Sequence, residues 1–501
     1  MTIAQIAGLV ALASPLGIAA TLFLVRGVPP RVNVLLGAGM LAVVAAAIWI
    51  VTRWPAAAAP LAALVLVGWS IMAWRARPSA GTRRRRPPGS LGLRSSIRAL
   101  ADYGFYEKEA ARHGPIFKSN QYYRPVLCIV GLERCQRFLR EHRDRLTSAP
   151  LPVDRYITGG LLRYMKAASH AEYRRRLQAC MKAGVLAACE PEIREQATRE
   201  LATLEEHSRG LESGARPFPA IDRFVFLSMN RVFFGILPDE PAWQRLARLY
   251  RVVDHRRLWR DTRRTRRAME EIVAIIREKA ARIERDGEPT SSSFLGQALR
   301  YDRDLLADPV FVENLAYFLH IARCDVTGLC GWLFKMLVDR PDWGARIREG
   351  GEETAAFGGT TAADRFVDET LRLRQSEYLY RTTADVIEFE GFAIPRGWLV
   401  RLCIRESHTA ADAFEHPKEF DPDRFLDATY PRERYQPFGI YEHACVGVPL
   451  TKAVGRIFLE QLAGGFDWEV LRDGPMELGL HHHGHWRPSS RLGVRLAARP
   501  A

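Results

Sequence analysis

Cys445 is the residue whose chemistry most constrains this chain. It lies in Pro437-Phe438-Gly439-Ile440-Tyr441-Glu442-His443-Ala444-Cys445-Val446-Gly447, directly before an amphipathic stretch that reads as a helix. A helix start offers unpaired N–H groups and a partial positive charge, and both favour S⁻ over SH. Gly439 and Gly447 let the backbone approach the sulfur, and Pro449 suits a first helical turn, where its missing N–H costs nothing. An isolated cysteine is also commonly a small buried hydrophobe. A thiolate held at a helix start suits a metal, and haem iron leads the candidates.

Other groups of reactive side chains stand at suggestive spacings. Glu369-Thr370-Leu371-Arg372 places an acid and a base three apart on a predicted helix, where they share a face and can pair. Ile321-Ala322-Arg323-Cys324-Asp325-Val326-Thr327-Gly328 carries an acid and an alcohol in the middle of a long apolar pattern. Tyr173-Arg174-Arg175-Arg176 reads equally well as an anion contact or a solvated basic face. His481-His482-His483-Gly484-His485 reads as a turn that is solvated or lines a pocket more readily than as a metal site. The arginine-rich run from Arg256 to Arg267 reads as a solvated helix face near a membrane.

The elements that must position these residues are mostly helical. Helical patterns cover 97–113, 132–141, 170–182, 190–208, 219–235, 241–254, 262–285, 308–338, 362–374 and 449–464. Strands are predicted at 116–122, 125–130, 385–389 and 398–404, a loop over 405–437, and a β-hairpin at the C-terminus. The expected class is mainly α with small β-sheets, without internal repeats or a Gly-rich phosphate loop.

Of the 501 residues, 72 are Lys or Arg and 57 are Asp or Glu, so the surface is basic and suits anionic lipid or an acidic protein partner. Without a basic stripe rich in aromatics or a zinc-finger spacing, nucleic acid is the weakest partner class. Eight scattered cysteines without a C-x-x-C point to a reducing compartment. Residues 3–25 and 32–52 carry no charge, and 56–74 form a third apolar run, each close to the roughly 20 residues that span a bilayer. No positive residue precedes the first run, which argues against a cleaved signal peptide. Arg75, Arg77 and Arg83–Arg86 after the third run place the large domain on the cytoplasmic side. The expected organisation is a multi-pass transmembrane segment of about three helices over 1–80, a basic Pro-Gly linker contacting lipid over 81–96, and a catalytic domain over 97–501.

From about residue 87 to 498 the chain resembles the cytochrome P-450 family of haem-thiolate monooxygenases. The resemblance rests on Glu369-Thr370-Leu371-Arg372, then Pro422-Asp423-Arg424-Phe425, then the cysteine loop at 437–447, in the family's order. His408 and Phe414, and Gly114-Pro115-Ile116-Phe117 near the first strands, add to it. It implies haem b with Cys445 as axial ligand, Phe438 beside the sulfur, and Glu369, Arg372 and Arg424 as a structural set. It also implies haem-propionate contacts from His443, from Arg381, and from the helix at 170–182, where the spacing leaves the arginine open and Arg176 is taken as the candidate.

Two departures from the family pattern stand out. Tyr441 replaces a customary glycine, which requires a changed turn or a ring laid over the proximal face. On the long helix, the customary small pair, acid and threonine, which manage protons in dioxygen activation, cannot all be matched. With Asp325 as the acid, Val326 takes the alcohol position and Thr327 lies one step, about 100°, away. Aligned instead from the helix end before Pro341, Cys324 takes the acid position and Asp325 the alcohol position. Asp325 and Thr327 remain the catalytic candidates, and Arg323 either points away from the haem or holds a substrate carboxylate.

The expected function is a membrane-anchored monooxygenase that takes electrons from a separate ferredoxin or flavodoxin and oxidises a lipophilic organic substrate. Two alternatives stay open: a haem-thiolate enzyme driven by peroxide or doing other chemistry, and a haem-binding membrane protein that has lost catalysis.

Overall fold

The computed structural model describes residues 86–121, 124–149, 161–165, 167–253, 262–287, 289–351, 359–374, 379–427, 430–441, 444–479 and 485–500, with single positions 53, 63 and 67. The apolar runs at 3–25 and 32–52, nearly all of 56–74, His443, and His481–His483 with Gly484 lie outside the described residues. Among the described residues no helix is long and apolar enough to cross a membrane. The chain divides into two compact units, residues 1–149 with 378–410, and residues 150–377 with 411–501.

The first unit is built on a five-stranded sheet. Its longer helices are α1 (Leu93–Ala101), α2 (Phe105–His113) and α3 (Leu132–Glu141), and a short helix over Ile404–His408 replaces the start of the loop predicted at 405–437. The single helix predicted over 97–113 is broken where the Asp102 carboxylate accepts the Gly104 N–H at 3.0 Å, a local bond that competes with the helix. Helix α1 also begins inside the segment read as a linker. There the Pro88 carbonyl accepts the Lys118 N–H at 2.7 Å and the Leu91 carbonyl accepts from the Asn120 amide at 2.6 Å.

Strands β1 (Ile116–Gln121), β2 (Arg124–Ile129), β3 (Leu146–Ser148), β4 (Leu379–Thr383) and β7 (Leu399–Leu402) form the sheet in the order β1-β2-β7-β4-β3. A separate hairpin joins β5 (Ile387–Phe389) to β6 (Phe392–Ile394). Among the described strands of the sheet, β2 and β7 are the parallel pair, with Cys128 opposite Arg401. Phe117, Val126, Cys128, Leu399 and Cys403 pack with Phe105 and Tyr106 into this unit's core.

The second unit is helical: α4 (Ala167–Cys180), α5 (Ala183–Ser208), α6 (Phe218–Phe234), α7 (Pro241–Val253), α8 (Thr262–Asp286), α9 (Phe294–Tyr301), α10 (Pro309–Asp339), α11 (Pro341–Glu349), α12 (Ala362–Leu373) and α13 (Val448–Gly465). Two antiparallel pairs complete it, β8 (Phe466–Arg472) with β11 (Gly493–Ala498) and β9 (Glu477–Gly479) with β10 (His485–Arg487).

Helix α10, 31 residues long, is the spine of this unit. It starts where the Asp308 side chain caps the Val310 N–H, with Pro309 in the first turn. Helix α13 approaches it closely at Gly455, where an added Cβ would stand 3.2 Å from Leu333, 3.4 Å from Val367 and 3.6 Å from Leu329. Phe224 and Phe458 stack at 5.6 Å to join α6 and α13. Helices α10, α12 and α13, the last of them directly after Cys445, therefore meet at Gly455, where a side chain would crowd them.

Candidate functional site

Cys445 sits just before α13. Its own N–H donates to the Phe438 carbonyl at 2.9 Å, which closes the loop. Its sulfur accepts the N–H of Gly447, the N-cap of α13, at 3.3 Å. Phe438 packs half-buried against the core of the second unit, and Ile440 is buried.

Gly439 has φ +90°, which glycine alone adopts without strain, and this is its reason for being in the loop. Tyr441 resolves the first departure: it adopts φ +56° and leaves its side chain exposed. Here a non-glycine residue carries a left-handed conformation.

The other cysteines lie in contrasting settings. Six are buried and Cys324 is half-buried, whereas Cys445 is exposed. Burial pushes the Cys180 thiol up to about 12 and the Cys189 thiol up to about 11, and raises those of Cys128, Cys135 and Cys330 further. An exposed sulfur that already accepts an N–H at a helix start is the donor a thiolate-bound iron requires, so the residues present fit a haem-thiolate site.

Glu369, Arg372 and Arg424 come together as the sequence suggested. Arg372 donates to Glu369 at 2.6 and 2.7 Å, and Arg424 donates to the same carboxylate at 3.0 Å, all three side chains being buried. The remaining donors go to backbone. Arg372 holds the Pro417 and Glu419 carbonyls, and Arg424 holds those of Glu415, His416 and Glu419. Phe414 lies beneath both guanidinium groups, at 5.2 and 5.6 Å. The set thus fastens the 415–424 segment to α12.

On α10, Phe318, Ile321, Ala322, Asp325 and Gly328 are only partly buried, while Tyr317, Leu319, His320, Val326 and Thr327 are buried. At about 100° per residue, Phe318, Ala322 and Asp325 fall on one stripe, and His320, Arg323 and Thr327 on the opposite one. Arg323 donates to Asp222 of α6 at 3.0 and 2.6 Å, and its guanidinium lies 4.5 Å from the centre of the Phe226 ring. The Thr327 hydroxyl donates to the same Asp222 carboxylate at 3.5 Å. Arg323 therefore points away from the Asp325 stripe. Asp325 and Thr327, two residues apart, lie about 200° apart around the helix, and Thr327 is on the side that faces Asp222 of α6.

Arg176 donates to Glu172 at 2.5 Å and lies 3.7 Å from Asp308, while Arg174 is half-buried and Arg175 exposed. Tyr173 donates to Asp308 at 2.6 Å, and this bond pushes its phenol up to about 12. Arg381 lies buried in β4 of the first unit and donates to the Tyr380 carbonyl at 2.9 Å. Sequence reasoning missed Asp222, an unremarkable acid in an aromatic helix. It also missed Asp368, which is buried beside Glu369 and bonded to Tyr435 and Lys452.

Comparison with known proteins agrees with this geometry. The family model described as Cytochrome P450 matches residues 360–494, which include α12, the 415–424 segment and the Cys445 loop. The chain is 26% identical over 423 residues to Abscisic acid 8'-hydroxylase 3 of Oryza sativa subsp. indica, covering 77% of this chain and 82% of that protein. It is 26% identical over 449 residues to Abscisic acid 8'-hydroxylase 2 of Arabidopsis thaliana, covering 83% and 90%. The solved structure of retinoic acid bound cyanobacterial CYP120A1 shares the fold, with TM-score 0.63 and 21% identity over 81% of this chain and 96% of that one. The matched segment, the relatives and the fold together support the cytochrome P450 family for this chain, and with it an oxidoreductase of the monooxygenase type.

Proposed function

We propose that the chain is a membrane-anchored haem-thiolate monooxygenase that binds haem b through Cys445 and oxidises a lipophilic organic substrate. The observation that carries this reading is the exposed Cys445 sulfur, which accepts the Gly447 N–H at the start of α13. When bound, haem supplies the chemistry of inserting one oxygen atom from dioxygen. The chain supplies the rest. The loop holds the sulfur as thiolate, and Phe438 limits water beside it. By resemblance, His443, Arg381 and an arginine of the Tyr173–Arg176 run serve the propionates. On α10, Asp325 is the acid on the partly buried stripe, and its carboxylate is the group that would hold or pass a proton. Thr327 has a supporting part, since its hydroxyl is engaged by Asp222.

The same ion pair bears on the peroxide-driven alternative. Arg323 is bidentate to Asp222, so it is a poor candidate for holding a substrate carboxylate over the site. This favours dioxygen with electrons from a separate ferredoxin or flavodoxin drawn to the basic surface. Relatives are named for abscisic acid hydroxylation and a solved structure of the same fold holds retinoic acid, which suits a terpenoid-like substrate taken from a bilayer beside the apolar runs at 3–25, 32–52 and 56–74.

The deciding experiment is the carbonyl difference spectrum of the reduced, haem-loaded protein. The long-wavelength band of a thiolate-bound haem is expected, and Cys445→Ser is expected to abolish it. A folded, haem-loaded parent without that band overturns the assignment. Turnover with peroxide alone, and none with a reductase system, favours the alternative.

A further inference from the structure

Asp368, next to Glu369 on α12, has no part in the Glu369–Arg372–Arg424 set, yet it is fully buried. Its carboxylate collects donors from three separate segments. Tyr435 donates its hydroxyl at 2.9 Å, Lys452 its ammonium at 2.6 and 2.9 Å, and Gly359 its backbone N–H at 2.9 Å. Tyr435 also donates to the Asp368 carbonyl at 3.0 Å.

Two of these partners flank the cysteine loop. Tyr435 stands two residues before Pro437, and Lys452 lies in the first turns of α13, beyond Cys445. One buried carboxylate thus holds both shoulders of the segment that carries the sulfur. Among the described residues of that segment, Gly439 N–H closes on the Gln436 carbonyl, Cys445 N–H on the Phe438 carbonyl, Ala444 N–H on the Tyr441 carbonyl, and Gly447 N–H on the sulfur. Tyr441, at φ +56°, works against the turn.

We propose that Asp368 is a positioning residue for the Cys445 thiolate: through Tyr435 and Lys452 it clamps both ends of the ligand loop to α12 and so fixes where the sulfur stands. This rests on Cys445 being the haem ligand. All three partners are donors, and a carboxylate satisfies them only when ionised. Burial raises the Asp368 carboxyl above its ordinary range, against the lowering influence of Lys452, Tyr435 and the Gly359 N–H. Glu369 and Asp368, about 100° apart on one helix, therefore divide the work. Glu369 anchors the 415–424 segment, and Asp368 anchors the thiolate loop.

The test compares two urea transitions in the haem-loaded full chain: loss of the thiolate carbonyl band, and loss of helix by far-ultraviolet circular dichroism. In Asp368→Asn, Tyr435→Phe and Lys452→Met the band is expected to disappear at a lower urea concentration, by about 1 M, while the helix midpoint moves less. A purely structural residue moves both midpoints together. Coincident shifts, or no shift in either, overturn the proposal. Should Asp368→Asn fail to bind haem, Tyr435→Phe and Lys452→Met each cut one arm and decide by the same comparison. Absence of the thiolate band in the parent protein counts against the haem-thiolate reading itself, whereas an intact parent band with unshifted variants counts only against the clamp.

Discussion

At Tyr441 an ordinary side chain holds a backbone conformation that glycine would hold without strain. The ring is exposed and φ is +56°, so no buried contact compensates for the left-handed geometry. Tyr441→Gly is expected to leave stability unchanged or raise it by up to about 1 kcal/mol, because relief of strain and the added freedom of the unfolded chain oppose each other. Thermal unfolding measures this, and a loss of several degrees would mean that the ring does unseen work. The α10 residues allow a sharper comparison. Thr327 is fixed on the α6 side by Asp222, so Thr327→Ala should cost about 1 kcal/mol of stability and leave product formed per electron unchanged. Asp325→Asn should lower that coupling ratio without a comparable loss of stability. Equal effects of the two substitutions on coupling would refute the assignment of faces. Helix geometry alone sets Asp325 and Thr327 on different faces; what the sequence does not show is that Asp222, about a hundred residues earlier, meets the Thr327 side.

At the scale of elements, helix α12 anchors the segments around the site. In the Glu369–Arg372–Arg424 set the two arginines bond five backbone carbonyl contacts besides the carboxylate, all from the 415–424 segment. Removing one charged partner from a buried pair leaves the other uncompensated. Arg424→Met is therefore expected to destabilise the second unit by about 3–5 kcal/mol, read from denaturant unfolding. The exposed pair Arg495–Glu469 serves as contrast, since Arg495→Gln should cost under about 1 kcal/mol.

Much of this level was legible in the sequence. Helices with strong apolar periodicity, such as α3, α6, α10 and α12, lie within a residue or two of their predicted limits. The start of α5 was not legible. The helix runs from Ala183 through Pro191, a residue that reads as a stop but is tolerated here. Short elements such as α9, α11 and β4 were missed because they carry too few periods to stand out, and their placement depends on tertiary contacts. Glu369, Arg372 and Arg424 were legible because side-chain type and order along the chain define the set. Asp222 and Asp368 were not, because nothing in their local sequence distinguishes a buried anchoring acid from a solvated one.

For the whole molecule, the boundary between the N-terminal segment and the globular part falls earlier than composition suggested. Pro88, Leu91 and Ser95 already bond to Lys118, Asn120 and Ser119 of β1. A chain beginning at Arg86 should melt like the globular part of the full protein. One beginning at Ile97 loses those three bonds and should melt about 3–6 °C lower. The same comparison addresses the proposed spans. The full chain should stay with membranes through alkaline carbonate washing, and the Arg86 chain should be released.

The contrast among the sulfurs has a practical consequence. Buried thiols with raised proton affinity react slowly with alkylating reagents, and Cys445 is the exposed one. In protein stripped of haem, the first equivalent of iodoacetamide should therefore label Cys445 ahead of the other seven, while a loaded site should be shielded. The mass of a single tryptic fragment would then count occupied molecules without any optical signal.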